Sequence, residues 1–184
     1  MLGLILAGGE SARMGQNKST MNIDGFSMLA IATHSLRDCA MIVIAAGDNE
    51  VPEDSVMFHQ ITDSKEHVGP RAGLLSGLMF ALENDFELVQ LSPCDTPLVE
   101  SGLFKELKDR LNGADCCVPI TERGIHPLHA LVRTRIFLDA LIQDGDNSNI
   151  HSLVSSLSHN MVEVDEEMML NVNTPEDLER LKSR

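Results

Sequence analysis

Directly after the apolar pentapeptide Leu2–Leu6, the chain runs Ala7-Gly8-Gly9-Glu10-Ser11-Ala12-Arg13-Met14-Gly15-Gln16-Asn17-Lys18. Two glycines at the end of a buried strand let the backbone turn sharply and aim N–H groups at an approaching phosphate. Arg13 offers a planar fork for phosphate oxygens, and Lys18 a mobile point charge. The chemistry this suits is the holding of an anion, most simply the phosphates of a nucleotide. Neither of the two commonest phosphate loops is present. A Walker A motif places Lys immediately after its second glycine, whereas here Gln16 and Asn17 separate Gly15 from Lys18. The dinucleotide fingerprint needs Gly-x-Gly-x-x-Gly, which Gly8-Gly9 does not supply. A plain glycine turn with surface cations explains the same residues without any ligand.

A second candidate is Asp95 in Ser92-Pro93-Cys94-Asp95-Thr96-Pro97. A carboxylate just past a buried strand, between two rigid prolines, is placed to hold a hard cation. Mg²⁺ characteristically takes one or two carboxylates and completes its shell with substrate phosphates. An Asx-turn accounts for the same residue by local backbone bonding alone. Asp63, shortly before Gly69-Pro70-Arg71-Ala72-Gly73, is a third candidate that turn chemistry explains nearly as well. His126 and His129 flank Pro127, which disfavours a regular helix through them. No third ligand lies at a zinc spacing, so they read as structural or ligand-lining residues.

The elements that would position these groups alternate. Leu2–Leu6 and Met41–Ala46 are short apolar runs of the kind that form strands covered on both faces. Phe86–Leu91 reads as a third strand, and Val56–Ile61 and Met161–Val164 as further ones. Helices are expected over Met28–Leu36, Pro70–Leu82, Glu100–Leu111, Arg135–Ile142 and Pro175–Leu181. The last carries Thr174 as cap, Pro175 in the first position and Asp177 completing a capping box. Strand–helix alternation predicts a three-layer α/β fold with a mostly parallel sheet, over one domain spanning 1–184. Ligands bind such sheets at the carboxyl ends of the strands, so the loops after Leu6, Ala46 and Leu91 should carry the chemistry.

Composition excludes other classes. A net charge of −14 argues against a nucleic-acid surface. The deficit is uneven: residues 1–37 carry Arg13, Lys18 and Arg37 against only Glu10 and Asp24. A locally basic start in an acidic protein suits a focused anion site. No apolar run approaches the ~20 residues of a membrane span, and Met1–Leu6 lacks the basic flank and cleavage site of a signal peptide. A cytoplasmic location is therefore expected. Cys39, Cys94, Cys116 and Cys117 show no Cys-x-x-Cys spacing and read as reduced core thiols.

Taken in order, Leu6-Ala7-Gly8-Gly9, Arg13-Met14-Gly15 and Lys18 resemble the signature of the molybdenum cofactor guanylyltransferase family. Gly69–Gly73, Pro93–Pro97, His126-Pro127-Leu128-His129-Ala130-Leu131 and Asn171-Val172-Asn173-Thr174-Pro175-Glu176-Asp177-Leu178 also look like that family's segments, and they span nearly the whole chain. The double glycine and the Cys94-Asp95 pair favour the guanylyl branch over cytidylyl relatives. The resemblance implies a Rossmann-like nucleotidyltransferase fold using Mg-GTP. It places Leu6, Ala7 and Gly8 along the GTP pocket, Gly9 and Arg13 beside the phosphates, and Lys18 on a phosphate. It further implies Asp63 holding the nucleotide, Asp95 binding Mg²⁺, and Asn171 and Asn173 near a pterin on an acceptor side formed by the C-terminal half. Its substrates would be GTP and molybdopterin, with transient contact to other molybdenum cofactor proteins. Two departures stand out. Ala45-Ala46-Gly47 replaces a frequent asparagine after the second strand, and Gly145–Asn149 lacks a frequent arginine.

In the implied reaction a terminal phosphate of the acceptor attacks the α-phosphorus of GTP and expels pyrophosphate. That phosphate is already ionised near neutral pH, so no side-chain base is needed. Arg13, Lys18 and Asp95 would work by positioning and charge neutralisation. The rival readings are cytidylyl or other nucleotidyl transfer to molybdopterin or a sugar phosphate, and a catalytically silent GTP-binding paralogue.

Overall fold

The structure is a computed structural model that describes residues 1–8, 18–47, 49–62, 70–145 and 149–182. β1 (Leu2–Leu6) is buried along its whole length and lies between β4 (Met41–Ala45) and β6 (Leu88–Pro93), parallel to both. Successive side chains of a strand point to opposite faces, and here each face meets helices. Leu2, Leu4 and Leu6 face α2 (Pro70–Glu83), α4 (Thr134–Asp144) and α5 (Ile150–Ser156), whose Leu74, Leu78, Phe137, Leu141 and Val154 complete that core. Ile5 faces α1 (Met28–Ser35) and α3 (Ser101–Leu111) through Leu29, Leu36, Phe104 and Leu107. The three-layer α/β expectation holds.

β5 (His59–Ile61) extends the parallel set beyond β4. On the other side the direction changes. β9 (Leu131–Arg133) runs antiparallel to both β6 and β7 (Cys116–Thr121), and β10 (His159–Glu163) closes the edge parallel to β7. The order is β10-β7-β9-β6-β1-β4-β5, with β8 (Gly124–Ile125) paired to β7. A small hairpin of β2 (Asn22–Ile23) and β3 (Phe26–Ser27) precedes α1. α6 (Pro175–Lys182) ends the described chain.

Helix α2 comes unusually close to β1. A Cβ at Gly77 would lie 2.3 Å from Leu4 Cδ2 and 2.5 Å from Leu4 Cδ1, so only glycine fits there without displacement. At its first turn the buried Arg71 donates to Asp144 Oδ2 at 2.6 Å and to the Leu141 carbonyl at 3.0 Å, fastening α2 to α4.

Some elements differ from expectation. Val56–Ile61 is not one strand. Glu53–Ser55 forms a 3₁₀ turn from which Asp54 reaches back to Ser27, the cap of α1, accepting from Ser27 N–H at 3.0 Å and Ser27 Oγ at 2.8 Å. Only His59–Ile61 is left to pair. The third strand starts two residues later than Phe86 and includes Pro93. β7, β9 and α5 are additional. The capping box on α6 is present: Thr174 Oγ1 accepts from Asp177 N–H at 3.1 Å and Asp177 Oδ2 accepts from Thr174 N–H at 3.0 Å. Cys94, Cys116 and Cys117 are buried and Cys39 half-buried, all as free thiols. Burial, with the Asp115 charge adding to it, pushes the Cys116 thiol up to about 12, so it stays protonated. Among the described residues no helix is long and apolar enough to cross a membrane.

Candidate active site

At the carboxyl ends of β1 and β6 lies a cavity of about 330 Å³. Leu6, Ala7 and Gly8 form one wall, Pro93, Cys94 and Asp95 a second, and Ile125 to His129 a third, with Pro70 and Asn171 at the margins. This is where an open parallel sheet binds ligands. Among the described residues Asp95 is the one acid on its lining.

The Asp95 loop is cross-braced. Cys94 N–H donates to the Leu6 carbonyl at 3.3 Å, tying the loop to β1. Val172 N–H donates to the Asp95 carbonyl at 2.8 Å, tying it to the approach of α6. Thr96 Oγ1 lies 2.7 Å from His129 Nε2. The third wall arrives by way of the reversed strand. Gln90 on β6 is opposite Leu131 on β9, so the turn before β9 falls at the carboxyl end of β6. Pro127–His129 forms a single 3₁₀ turn, and His126 Nε2 lies 3.0 Å from Thr121 Oγ1. Burial, reinforced by His126, lowers the His129 pKa to about 3. Burial also lowers His126, against the pull of Glu166. Both rings are therefore neutral at pH 7.

Leu6, Ala7, Gly8 and Asp95 thus come together as the sequence predicts. The Ala7 and Gly8 N–H groups, however, do not aim at a ligand. Both donate to the Ala45 carbonyl at 2.9 Å, closing the β1–β4 ladder. Gly9, Arg13 and Asp63 lie outside the described residues, as does the side chain of Lys18, whose backbone opens a short 3₁₀ turn. Asn171 lines the cavity; Asn173 does not, and its backbone N–H is held by Asp177 Oδ2 at 3.0 Å. Of the two asparagines that the resemblance puts near the acceptor, Asn171 is the one on this cavity. Sequence reasoning also missed Asn49. Its Nδ2 donates to the Ala7 carbonyl at 2.9 Å, so an asparagine after the second strand does brace the site, four residues beyond Ala45. The turn at Gly47, with φ of 60°, lets it come back.

A three-layer sheet with this cavity and one carboxylate beside the β1 loop has the fold of nucleotidyltransferases. It superposes on the molybdopterin-guanine dinucleotide biosynthesis protein A of Archaeoglobus fulgidus with a TM-score of 0.78 at 21% identity, over 100% of this chain and 97% of that one. The 2-C-methyl-D-erythritol 4-phosphate cytidylyltransferase of Thermus thermophilus follows the same path, with a TM-score of 0.75 at 15% identity over 98% and 96%. More narrowly, the chain belongs to the MobA-like NTP transferase domain family, whose model matches residues 3–161. Among its curated relatives, a probable molybdenum cofactor guanylyltransferase of Bacillus anthracis is 31% identical over 95% of this chain and 92% of its own. One of Natronomonas pharaonis is 29% identical over 99% and 96%.

Proposed function

We propose that this chain transfers GMP from GTP to the terminal phosphate of molybdopterin, releasing pyrophosphate and forming molybdopterin guanine dinucleotide. The observation that carries the reading is the joint cavity, in which Leu6–Gly8 and Asp95 share one space with the 125–129 turn and Asn171. Two phosphorylated substrates need such a shared space to react. The relatives' names supply the substrate pair.

In the reaction an oxygen of the acceptor phosphate forms a bond to the α-phosphorus, and the bond from that phosphorus to the pyrophosphate oxygen breaks. Asp95 would hold Mg²⁺. One carboxylate on an open cavity is the protein share that this ion takes when substrate phosphates fill the rest of its shell. Bound there, Mg²⁺ would neutralise charge on the nucleotide phosphates. Arg13 and Lys18 would screen the two anions from each other, with Gly9 and Asp63 beside the nucleotide. Asn171 offers the acceptor both a donor and an acceptor group. Neutral His126 and His129 leave the cavity free of a competing fixed cation. The cytoplasm is the compartment consistent with this chemistry and with reduced thiols.

The test is pyrophosphate release with each of the four nucleoside triphosphates, with and without molybdopterin. Release that requires GTP and molybdopterin together is expected. Equal release with CTP would replace the guanylyl reading by a cytidylyl one. GTP binding with no release would mean a silent paralogue.

A further inference from the structure

Asn171 owes its place at the cavity to the residues on either side of it. Beyond β10 the chain makes a turn in which the Met168, Met169 and Leu170 N–H groups donate to the Asp165, Glu166 and Glu167 carbonyls. Met169 is buried there in the same core as Phe104 and Leu107 of α3. Val172, the one apolar residue of Asn171-Val172-Asn173, is fully buried in a different place. It enters a third, smaller core formed by Met21 and Ile23 near the β2–β3 hairpin and by Met28 at the start of α1. Asn171 is exposed and stands between these two anchors.

The Val172 anchor is the nearer one, and it is held in two ways. A β-branched side chain has few rotamers, so fixing it fixes its own backbone. Its socket is firm: Met28 N–H donates to the Met21 carbonyl at 2.8 Å, and Leu181 of α6 packs against the same group. The Val172 N–H donates to the Asp95 carbonyl at 2.8 Å. The peptide group that carries this N–H is planar and includes the Asn171 Cα and carbonyl. Side chain and bond together therefore hold the backbone from which the Asn171 amide extends. The Asp95 loop does not depend on this bond alone, being tied also to Leu6 through Cys94 and to His129 through Thr96. A displacement at Val172 is thus passed to Asn171 rather than to Asp95. We propose that Val172 is a positioning residue for the acceptor: seated in the third core, it holds Asn171 at the cavity margin. The inference rests on the reading of Asn171 as an acceptor contact.

The assay is pyrophosphate release from GTP with molybdopterin as the varied substrate. Val172→Ala keeps the N–H but loosens the side chain in its socket. It should raise the KM for molybdopterin about five- to tenfold, the worth of one hydrogen bond to the ligand, with the KM for GTP unchanged. Asn171→Ala is the reference and should raise the same KM at least as far. The double variant should match Asn171→Ala alone, because Val172 acts only through that residue. Ile23→Ala loosens the socket from the opposite side and should raise the KM for molybdopterin too, so it decides the matter if Val172→Ala does not fold. Leu181→Ala, which touches the same core from α6, should only melt earlier. If Asn171→Ala leaves the KM for molybdopterin unchanged, the reading of Asn171 fails and the proposal with it. If Asn171→Ala raises it while Val172→Ala and Ile23→Ala merely melt earlier, the positioning role is overturned. Full additivity in the double variant, or an equal rise in the KM for GTP, overturns it as well.

Discussion

Replacing Gly77 by alanine would put a methyl group where there is no space. In the interior of an ordinary helix this change adds about 1 kcal/mol of stability. Here the new Cβ would meet Leu4 Cδ2 at 2.3 Å, Cδ1 at 2.5 Å and Cγ at 2.9 Å, against about 4 Å for a comfortable carbon contact. Leu4 is fully buried in the core that contains Leu74, Leu78, Val43 and Leu91, so it cannot swing aside freely. Overpacking of this kind costs about 1–3 kcal/mol. The larger value less the helix gain leaves a net destabilisation of up to about 2 kcal/mol, or roughly 4–8 °C in melting temperature for a chain of this size. Urea and thermal unfolding of Gly77→Ala, Leu4→Ala and the double variant measure it. Leu4→Ala removes all three clashing atoms, so the double variant should lose less than the sum of the single changes by most of the clash energy. A Gly77→Ala protein more stable than wild type, or simple additivity in the cycle, would refute the close approach. Because α2 begins at Pro70 on the cavity wall, lifting it should also raise the KM for GTP.

Lys18→Ala and Arg13→Ala should each weaken GTP by roughly 1.5–3 kcal/mol and GMP by less, as read by calorimetry; equal losses would point to a collapsed loop instead. Asn171→Ala should raise the acceptor KM at a cost of about 1–3 kcal/mol with GTP binding unchanged, while Asn173→Ala should only lower the melting temperature. The reverse pattern would mean that Asn173 reaches the acceptor. Acid should expose the buried ring of His129. An unfolded His takes up its proton near 6.5 and the folded ring only near 3, so its contribution is complete above pH 6.5 and is lost as pH falls, by about 1.4 kcal/mol per unit. Between pH 6 and 4 the His129→Gln protein should show a flatter stability curve than wild type, and parallel curves would contradict the depressed pKa.

The parts of this fold that can be read from residues alone are those with uninterrupted burial. Leu2–Leu6 and Met41–Ala45 declare themselves because a strand covered on both faces must be apolar throughout. β7 hides behind Pro119, which ordinarily argues against a strand inside a sheet. The structure resolves this locally: β9 pairs only Cys116 and Cys117, and β8 begins opposite Ile120, so no antiparallel partner needs an N–H at 119. β9 has three residues and carries no periodicity to detect. That gap matters for the site, because the reversal of β9 is what delivers His126 and His129 to the cavity. That the loops after β1 and β6 meet at one cavity was legible from residue type and position. The bracing by Asn49, Thr96 and Val172 was not, since each bond joins segments distant in the chain. α5 escaped notice because Ile-His-Ser-Leu-Val-Ser-Ser has weak helix formers; Asn149, accepting from Ser152 N–H at 2.8 Å, starts it.

The bond from Val172 N–H to the Asp95 carbonyl also sets an order of assembly. Most of the sheet closes through contacts among earlier residues, and β1, β4 and β6 can pair before anything beyond β9 exists. The site is different, since one of its three braces comes from a segment that a growing chain releases only after β10. Ring closure over such a span is entropically costly and slow compared with local pairing. A nascent chain can therefore hold a nearly complete sheet while Asp95 is still loosely held, and binding competence arrives as a late event in folding rather than together with the core.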